Sequence, residues 1–221
     1  MSRNLTTIDI QKLPFYHFRA KSKSQEAFLD IIDNNQIILA TGRAGTGKTI
    51  TAIVRGLKGI MDGSYEKLVI IKPAVEAEEN LGYLPGTIES KIYPYHYSTI
   101  YTIDMLIGKG ERINMMKAGL IETIPIAYLR GITFHDTFMI IDEAQNTTKA
   151  QIKLIVTRIG QNSKMIFIGD AEQSDLNKNK NSGLLDAIDR LQDVNGIGTF
   201  VFSNKEIVRN SIITEILEKY E

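Results

Sequence analysis

Five short apolar runs, rich in β-branched residues, predict the strands of this protein. They lie at residues 36–40, 68–72, 137–141, 164–168 and 198–202. None of them alternates apolar with polar residues, as a strand with one face in water does. We therefore expect strands that are covered on both faces, which is typical of a parallel sheet.

Amphipathic segments between these runs predict helices at residues 25–33, 48–61, 148–159, 183–191 and 205–220. The alternation of strands and helices predicts an α/β fold, with a mostly parallel sheet and helices on both faces. About 55 residues (76–131) separate the second predicted strand from the third, an interval long enough to carry function or small helices of its own.

Composition limits the class and location of the protein. The 221 residues fit a single domain, 1–221, and the 43% hydrophobic and 24% charged residues are typical of soluble globular proteins. No run approaches the roughly 18 apolar residues of a membrane helix, there is no cysteine, and residues 1–18 contain no uninterrupted apolar stretch of the kind that a secretory signal has. We therefore expect a cytoplasmic protein without thiol chemistry. Because 26 basic residues balance 26 acidic ones, the net charge gives no evidence for nucleic acid.

The strongest chemical signal is GRAGTGKT at residues 42–49, which matches the pattern GxxxxGKT between a predicted strand and a predicted helix. Its glycines allow successive backbone N–H groups to point at phosphate oxygens, and the helix adds its positive N-terminal end. We expect Lys48 to contact the β- and γ-phosphates and the Thr49 hydroxyl to bind Mg²⁺. The expected nucleotide-binding residues are Gly42, Arg43, Ala44, Gly45, Thr46, Gly47, Lys48, Thr49 and Ile50.

A second motif, FMIIDEAQ, ends a predicted strand in two carboxylates. Asp142 is expected at the carboxyl edge of the parallel sheet, where α/β proteins bind ligands, and there it can hold Mg²⁺. Glu143 is placed to orient and deprotonate an attacking water, so the pair favours hydrolysis over binding alone. An acidic helix cap is the alternative interpretation, against which the neighbouring phosphate-loop pattern argues.

A third strand end, MIFIGDAEQ, carries Gly169, Asp170 and Gln173. The Gln173 carboxamide could lie beside the γ-phosphate and couple its loss to movement, although the segment alone is also a turn signal.

The Asn-Lys-x-Asp pattern with which GTPases read guanine is incomplete at residues 177–180 and 204–207, so ATP is favoured by elimination. Gln25 could read the adenine edge through its amide, or be a solvated residue at a helix start.

Together these residues resemble the PhoH family. The resemblance rests on GRAGTGKT, KPAVEAEENLGYLPGTIESKIYPY, MIIDEAQNTT, QIKLIVTRIG, SKMIFIGDAEQSDL and EIVRN, in the family's order from about residue 25 to the end of the chain. It implies a RecA-like P-loop ATPase core, related to the first motor domain of superfamily-one helicases, with ATP and Mg²⁺ as ligands. In those terms the three motifs match Walker A, Walker B and the third helicase motif, and Gln25 matches the adenine-reading glutamine.

Two positions depart from the family pattern. The family usually has Arg-Pro after the second strand and Arg-His near the C-terminus, where this chain has Lys72-Pro73 and Arg209-Asn210. Lys72 keeps the positive charge but lacks the planar guanidinium that binds a phosphate through two hydrogen bonds.

A helicase of this type completes its site with an arginine from a second RecA-like domain, for which the 221 residues leave no room. An arginine supplied by a neighbour adds about 10³ to 10⁵ in rate, so we expect a homo-oligomer, with a hexameric ring favoured. Arg209 is the leading candidate, followed by Arg130 and Arg158, and a surface salt bridge is the alternative role for each.

Six of the nine tyrosines fall in the interval 76–131, where basic residues also lie. They are Tyr83, Tyr93, Tyr95, Tyr97, Tyr101 and Tyr128, with Lys91, Lys109, Arg112 and Lys117. Aromatic faces beside cations suit single-stranded RNA or DNA, tyrosines equally suit subunit interfaces, and plain packing is the third alternative.

The leading hypothesis is an ATP-driven nucleic-acid motor or remodeller, with RNA the favoured substrate. One alternative is a small-molecule P-loop kinase, against which Glu143 argues because it favours transfer to water. The other is an ATP-gated oligomerisation module with little turnover.

Overall fold

The computed structural model describes residues 12–73, 88–170, 173 and 182–203, with the backbone alone at 88–95. Six strands form one sheet, and every pairing between neighbouring strands is parallel. In chain order they are β1 (Ile37–Thr41), β2 (Lys67–Lys72), β3 (Ile121–Pro125), β4 (Thr137–Ile141), β5 (Lys164–Gly169) and β6 (Ile197–Val201). Their order across the sheet is β3-β2-β4-β5-β1-β6.

The described connections contain six α-helices. They are α1 (Lys23–Asn34), α2 (Lys48–Met61), α3 (Ile88–Ile107), α4 (Lys109–Lys117), α5 (Lys149–Val156) and α6 (Gly183–Leu191). Short 3-10 turns lie at Pro14–His17, Ile126–Leu129 and Ala144–Asn146. Within the described ranges, no helix has both the length and the apolar character needed to span a bilayer.

A hydrophobic core lies on each face of the sheet, because successive strand residues point to opposite faces. Ile38 and Ile140 belong to the core that α1 to α4 cover. Leu39 and Met139, each adjacent in sequence to one of these, belong to the core that α5 and α6 cover. Burial on both faces explains the continuous apolar runs, and it confirms the α/β fold with helices on both faces.

All five predicted strands are confirmed to within one residue at each end, and α2 and α6 have the predicted bounds. α1 extends beyond its prediction by two residues at the start and one at the end, and α5 ends at Val156 rather than at residue 159. The predicted helix at 205–220 lies outside the described residues.

One strand of the sheet is absent from the sequence prediction. β3 lies inside the interval 76–131 and forms an edge of the sheet, where β2 is its neighbour. Its sequence, IETIP, contains Glu122, Thr123 and Pro125, so it has no apolar run of the kind that marks the buried strands. An edge strand tolerates such residues because one side makes no ladder hydrogen bonds. The interval therefore returns to the sheet after α3 and α4.

Candidate functional site

The loop at residues 42–47 joins β1 to α2 at the carboxyl edge of the sheet. Gly47 is the N-cap residue of α2 and has a left-handed backbone conformation, with φ at 84°, which favours glycine. A glycine is also required at position 42, because the backbone there lies so close to Phe202 that an added Cβ would be 2.6 Å from the Phe202 Cβ. The loop thus leads directly into a helix N-terminus, whose unpaired N–H groups attract anions.

The Lys48 ammonium folds back onto this loop. Its Nζ donates hydrogen bonds to the carbonyl oxygen of Gly42 and, at 2.8 Å, to that of Arg43. The Thr46 hydroxyl lies 3.4 Å from Nζ and donates to the Arg43 carbonyl at 3.0 Å. The polar groups of the loop therefore hold the Lys48 ammonium in a fixed position, from which its positive charge would attract an anion.

Gln25 packs behind the loop. Only 3% of the residue is exposed, its Nε2 donates to the Thr46 carbonyl at 3.0 Å, and its Oε1 accepts from the Lys21 N–H at 2.9 Å. A Cβ on Gly47 would lie 2.3 Å from this Nε2, so the glycine makes room for the glutamine. The amide thus supports the loop from α1, and a contact with adenine stays a prediction.

Asp142 and Thr49 meet at the cleft. Asp142 directly follows β4 and is 4% exposed, and its Oδ1 accepts a hydrogen bond from the Thr49 hydroxyl at 3.0 Å. Thr49 lies in the first turn of α2. The two residues that the sequence proposes for Mg²⁺ are thus in contact although 93 residues separate them in the chain.

Glu143 lines the cleft from an unusual backbone conformation. Its φ is 58°, in the left-handed region that is rare for residues other than glycine and that persists mainly where surrounding structure enforces it. The side chain is exposed, and its Oε2 accepts a hydrogen bond from Gln145 Nε2 at 2.8 Å. Gln145 itself is buried, donates to the Gln173 carbonyl at 3.3 Å and accepts from the Asp170 N–H at 3.0 Å. Gln145 therefore links Glu143 to the end of β5.

Asp170 and Gln173, which follow β5, form another wall of the cleft. Asp170 Oδ2 accepts a hydrogen bond from the Ala44 N–H at 2.7 Å, and this contact joins the third motif to the loop. The register of the sheet makes the contact possible, because Thr41 at the end of β1 pairs with Gly169 at the end of β5. The fold thus brings the three motifs to one edge.

The other side of Asp142 faces α3. Its Oδ2 accepts a hydrogen bond from the Thr99 hydroxyl at 2.7 Å, and the Lys72 ammonium lies 3.4 Å from the same oxygen. Lys72 also donates to the Ser98 hydroxyl at 2.8 Å. A buried carboxylate requires such charge and hydrogen-bond partners. The contact also gives Lys72 a role that needs no planar guanidinium.

His96 lies on α3 beside these residues and is 2% exposed. Its Nδ1 is buried without a hydrogen-bond partner among the described residues. Burial and the nearby charge of Lys72 lower the pKa of His96 to about 4, although Asp142 acts in the opposite direction. The imidazole is therefore neutral at pH 7.

These elements enclose a cleft of about 270 Å³. The Asp142 carboxylate and the Thr49 hydroxyl meet in it, and Glu143 and Asp170 also line it, but the described ranges contain no group of three or more His, Cys, Asp or Glu placed to hold a metal ion by themselves. Mg²⁺ fits this arrangement, because it usually binds one or two side chains together with phosphate oxygens and water. The lining residues are Ala44, Gly45, Gly47, Lys48, Thr49, Ile50, Asp142, Glu143, Ile168, Gly169, Asp170 and Gln173.

The candidate arginines lie away from this cleft or outside the described residues, as Arg209 does. Arg158 donates to the Ile132 carbonyl at 3.3 Å, near the segment that precedes β4 and therefore at the amino edge of the sheet. Arg130 is exposed after the turn Ile126–Leu129. Neither lines the cleft of its own chain, and their action on a neighbouring chain stays a prediction.

Two of the six tyrosines form an exposed stacked pair on α3. The ring centroids of Tyr97 and Tyr101 are 6.4 Å apart, and the residues are 56% and 54% exposed. Arg112 is not a free basic neighbour: it is buried and bonded to Asp104 at 2.6 Å, because a buried guanidinium needs a carboxylate partner. Tyr83 and the side chains of Tyr93, Tyr95 and Lys91 lie outside the described residues.

Thr99, Ser98 and Gln145 contact the site residues although the sequence did not predict such a role. Thr99 belongs to a helix outside the three motifs and lies 43 residues before Asp142, so no local pattern connects the two. Gln145 could have been identified from the sequence, since it is a polar residue two positions after Glu143 in the DEAQ motif. The structure shows that it is buried.

Comparisons with known proteins give the family. A family model described as PhoH-like protein matches residues 17–221. The PhoH-like protein of Bacillus subtilis (strain 168) is 38% identical over 203 residues, which cover 92% of this chain and 64% of that protein. The PhoH-like protein of Mycobacterium tuberculosis (strain ATCC 25618 / H37Rv) is 39% identical over 218 residues, which cover 97% of this chain and 61% of that protein. The chain thus spans less than two thirds of the length of these curated relatives.

A solved structure supports the fold. The large terminase from a thermophilic bacteriophage matches with a TM-score of 0.50 and 13% identity, over 90% of this chain and 50% of that one. A structure of the same terminase in complex with ADP matches equally well. At this level of identity the likeness concerns the fold alone. The family match and the identity to curated relatives show that this chain, with its RecA-like P-loop NTPase fold, belongs to the PhoH family.

Proposed function

We propose that this chain binds ATP together with Mg²⁺ and hydrolyses the ATP. The observation that carries the proposal is that Thr49 and Asp142 bond to each other beside the exposed Glu143, in the cleft that the loop at 42–47 lines. Two metal-binding groups, an anion-binding loop and a carboxylate accessible to water are the parts that hydrolysis of a nucleoside triphosphate requires.

Each group has a distinct role in this proposal. The loop N–H groups, the N-terminus of α2 and the Lys48 ammonium bind the phosphates and reduce the repulsion met by an attacking oxygen. Thr49 and Asp142 hold Mg²⁺, which when bound neutralises charge on the phosphate oxygens. Glu143, oriented by Gln145, accepts a proton from the attacking water.

The substitution Glu143→Gln tests hydrolysis separately from binding, because it keeps the size of the side chain and removes the base. We expect kcat to fall by about 10² to 10⁴ while the affinity for a fluorescent ATP analogue is retained. The matched control is Glu122→Gln, which removes the ion pair with Lys67 at the edge strand β3 and should leave turnover unchanged. An unchanged kcat in Glu143→Gln would contradict the proposal.

The same assay separates the alternative functions. A small-molecule kinase would release little phosphate unless an acceptor were added, and an ATP-gated module would bind ATP with negligible turnover. The exposure of Glu143 in the cleft favours transfer to water over both.

The Tyr97 and Tyr101 pair supports a second part of the proposal, a surface for single-stranded RNA or DNA. Stacking of a base on an exposed ring contributes about 1 to 3 kcal/mol, so replacing both tyrosines by Ala should weaken binding of a labelled single-stranded RNA about 10-fold or more. Fluorescence anisotropy measures this, with Tyr16→Ala as the control at another exposed tyrosine. Unchanged RNA affinity with a changed mass in solution would identify a subunit interface instead.

Assembly into a homo-oligomer, with Arg209 completing the site of a neighbour, is the third part. Arg209→Ala should abolish turnover and spare ATP binding, because an arginine supplied by a neighbour contributes about 10³ to 10⁵ in rate. Mixing Arg209→Ala chains with Lys48→Ala chains should restore partial turnover, since some sites then combine an intact loop with an intact arginine. Full turnover by Arg209→Ala alone would exclude this residue.

A further inference from the structure

The Asp142 carboxylate is bonded on two sides by different elements. Its Oδ1 accepts from Thr49 on α2, and its Oδ2 accepts from Thr99 on α3, at 3.0 and 2.7 Å. Thr99 is 1% exposed and Asp142 is 4% exposed, so water does not compete strongly for the second contact. We infer that Thr99 is a positioning residue, which fixes the Asp142 carboxylate for the Mg²⁺ that accompanies the nucleotide.

The direction of the Thr99 hydroxyl supports this role. A threonine inside a helix commonly bonds a carbonyl of the preceding turn, as Thr102 does with the Ser98 carbonyl at 3.0 Å. Thr99 instead directs its hydroxyl out of α3 to the carboxylate. A β-branched side chain has few χ1 rotamers in a helix, so the Thr99 side chain loses little conformational entropy when it bonds to Asp142.

Thr99 and Lys72 act differently on the same oxygen. The Lys72 ammonium, at 3.4 Å, compensates the charge of the carboxylate. The shorter Thr99 hydrogen bond defines its orientation. With Oδ2 occupied and Oδ1 bonded to Thr49, the carboxylate cannot rotate without breaking a contact, and Oδ1 keeps a further lone pair for a cation or its water.

The inference rests on the proposed function, because it concerns the metal that binds with ATP. Partners of metal ligands, when removed, typically cost about 10 to 100-fold in metal affinity or activity. Thr99→Val keeps the shape of the side chain and removes the hydroxyl. We therefore expect the Mg²⁺ concentration that half-saturates the enhancement of nucleotide binding to rise about 10-fold.

The experiment measures binding of a fluorescent ADP analogue over a Mg²⁺ series and in EDTA, with the full chain. Thr99→Val should shift the Mg²⁺ dependence and leave the affinity in EDTA unchanged. Thr99→Ser should restore the unsubstituted response because it restores the hydroxyl. Thr102→Val is the matched control, since its hydroxyl bonds only its own helix among the described residues.

Two results overturn the inference: a Mg²⁺ response of Thr99→Val equal to that of the unsubstituted protein, or an equal loss of affinity in EDTA and in Mg²⁺. The second result would indicate a purely structural role. If Thr99→Val does not fold, Thr99→Ala makes the same test without the added methyl group. An unsubstituted protein that binds no nucleotide at all would overturn the proposed function itself, which separates the two failures.

Discussion

The loop that lines the cleft and the residues packed against the far side of Asp142 hold their charged groups by different means. On the loop side, residues 42–49, backbone carbonyls hold the Lys48 ammonium and a backbone N–H binds Asp170. On the α3 side, defined by Lys72, His96, Ser98 and Thr99, the described contacts with the Asp142 carboxylate come from the Thr99 and Lys72 side chains. A site built from backbone depends on the conformation of several residues together, whereas a site built from side chains can lose one group at a time. Substitutions should therefore disable the loop side as a unit and weaken the α3 side by degrees.

Of the substitutions that compare the two sides, Gly47→Ala, on the loop side, should give the largest effect. The added Cβ would lie 2.3 Å from Gln25 Nε2, at a residue whose φ is 84°. A left-handed conformation costs about 1 to 2 kcal/mol for alanine, and a displaced buried hydrogen bond adds about 1 to 3 kcal/mol. Because the free loop relieves this strain by leaving the conformation that binds the nucleotide, restoring that conformation should lower nucleotide affinity about 100-fold, measured by titration calorimetry.

Gly63→Ala is the matched control for this prediction. Gly63 has a φ of 78°, yet a Cβ there would meet nothing within 4 Å. The backbone strain is therefore similar, and the contact with the loop is missing. Gly63→Ala should lower the free energy of unfolding and keep nucleotide affinity, and an equal loss of affinity in both variants would contradict the role given to Gly47.

On the α3 side, the stability of the metal-free protein should depend on the ionisation of His96. Its pKa is lowered to about 4 in the folded protein, chiefly by burial, while an unfolded histidine has a pKa near 6.5. Between these values the unfolded chain binds a proton that the folded chain does not, so the folded state loses stability as the pH falls. We expect the free energy of unfolding to decrease by on the order of 2 kcal/mol from about pH 6.5 to 4.5 through this group.

Urea denaturation in EDTA at several pH values measures this effect. His96→Phe removes the titrating group and should flatten the dependence in that window. His135→Phe, at an exposed histidine, should keep the dependence of the unsubstituted protein. A slope that is the same in the His96 and His135 variants would show that His96 is not its source.

The smallest predicted effect concerns Gln145, which connects Glu143, after β4, with Asp170, after β5. Gln145→Leu removes the hydrogen bond to Glu143 and leaves the Asp170 N–H without its acceptor. We expect kcat to fall about 10-fold, since a lost hydrogen bond to a charged group corresponds to about 1.5 kcal/mol, with nucleotide affinity nearly retained.

Gln151→Leu provides the control for Gln145→Leu. The Gln151 side chain closes the capping box of α5 with Thr148, so its loss should reduce stability and not kcat. A kcat of Gln145→Leu equal to that of the unsubstituted protein would show that Glu143 needs no support from Gln145.

The buried strands and the loop side could be predicted because their signals are local in sequence. A buried parallel strand is an apolar run, and GRAGTGKT combines its glycines, lysine and threonine within eight consecutive residues. β3 was not predicted, because this edge strand has no continuous apolar run. The contacts on the α3 side could not be predicted from the sequence. Thr99 lies beside Asp142 only because the folded chain places α3 next to the end of β4, and no spacing rule relates residues 43 positions apart.

The position of β1 has a consequence for how this protein folds. β1 carries the loop and lies between β5 and β6, two strands that follow it only after most of the chain. Contacts between such distant segments form slowly, because a long stretch of chain must be ordered before they are gained. The early part of a growing chain therefore holds the loop sequence without the neighbours that shape it. A nucleotide that binds the loop would therefore stabilise only chains in which β1 has paired with β5 and β6. Nucleotide binding can thus be used to measure the fraction of chains that have completed folding.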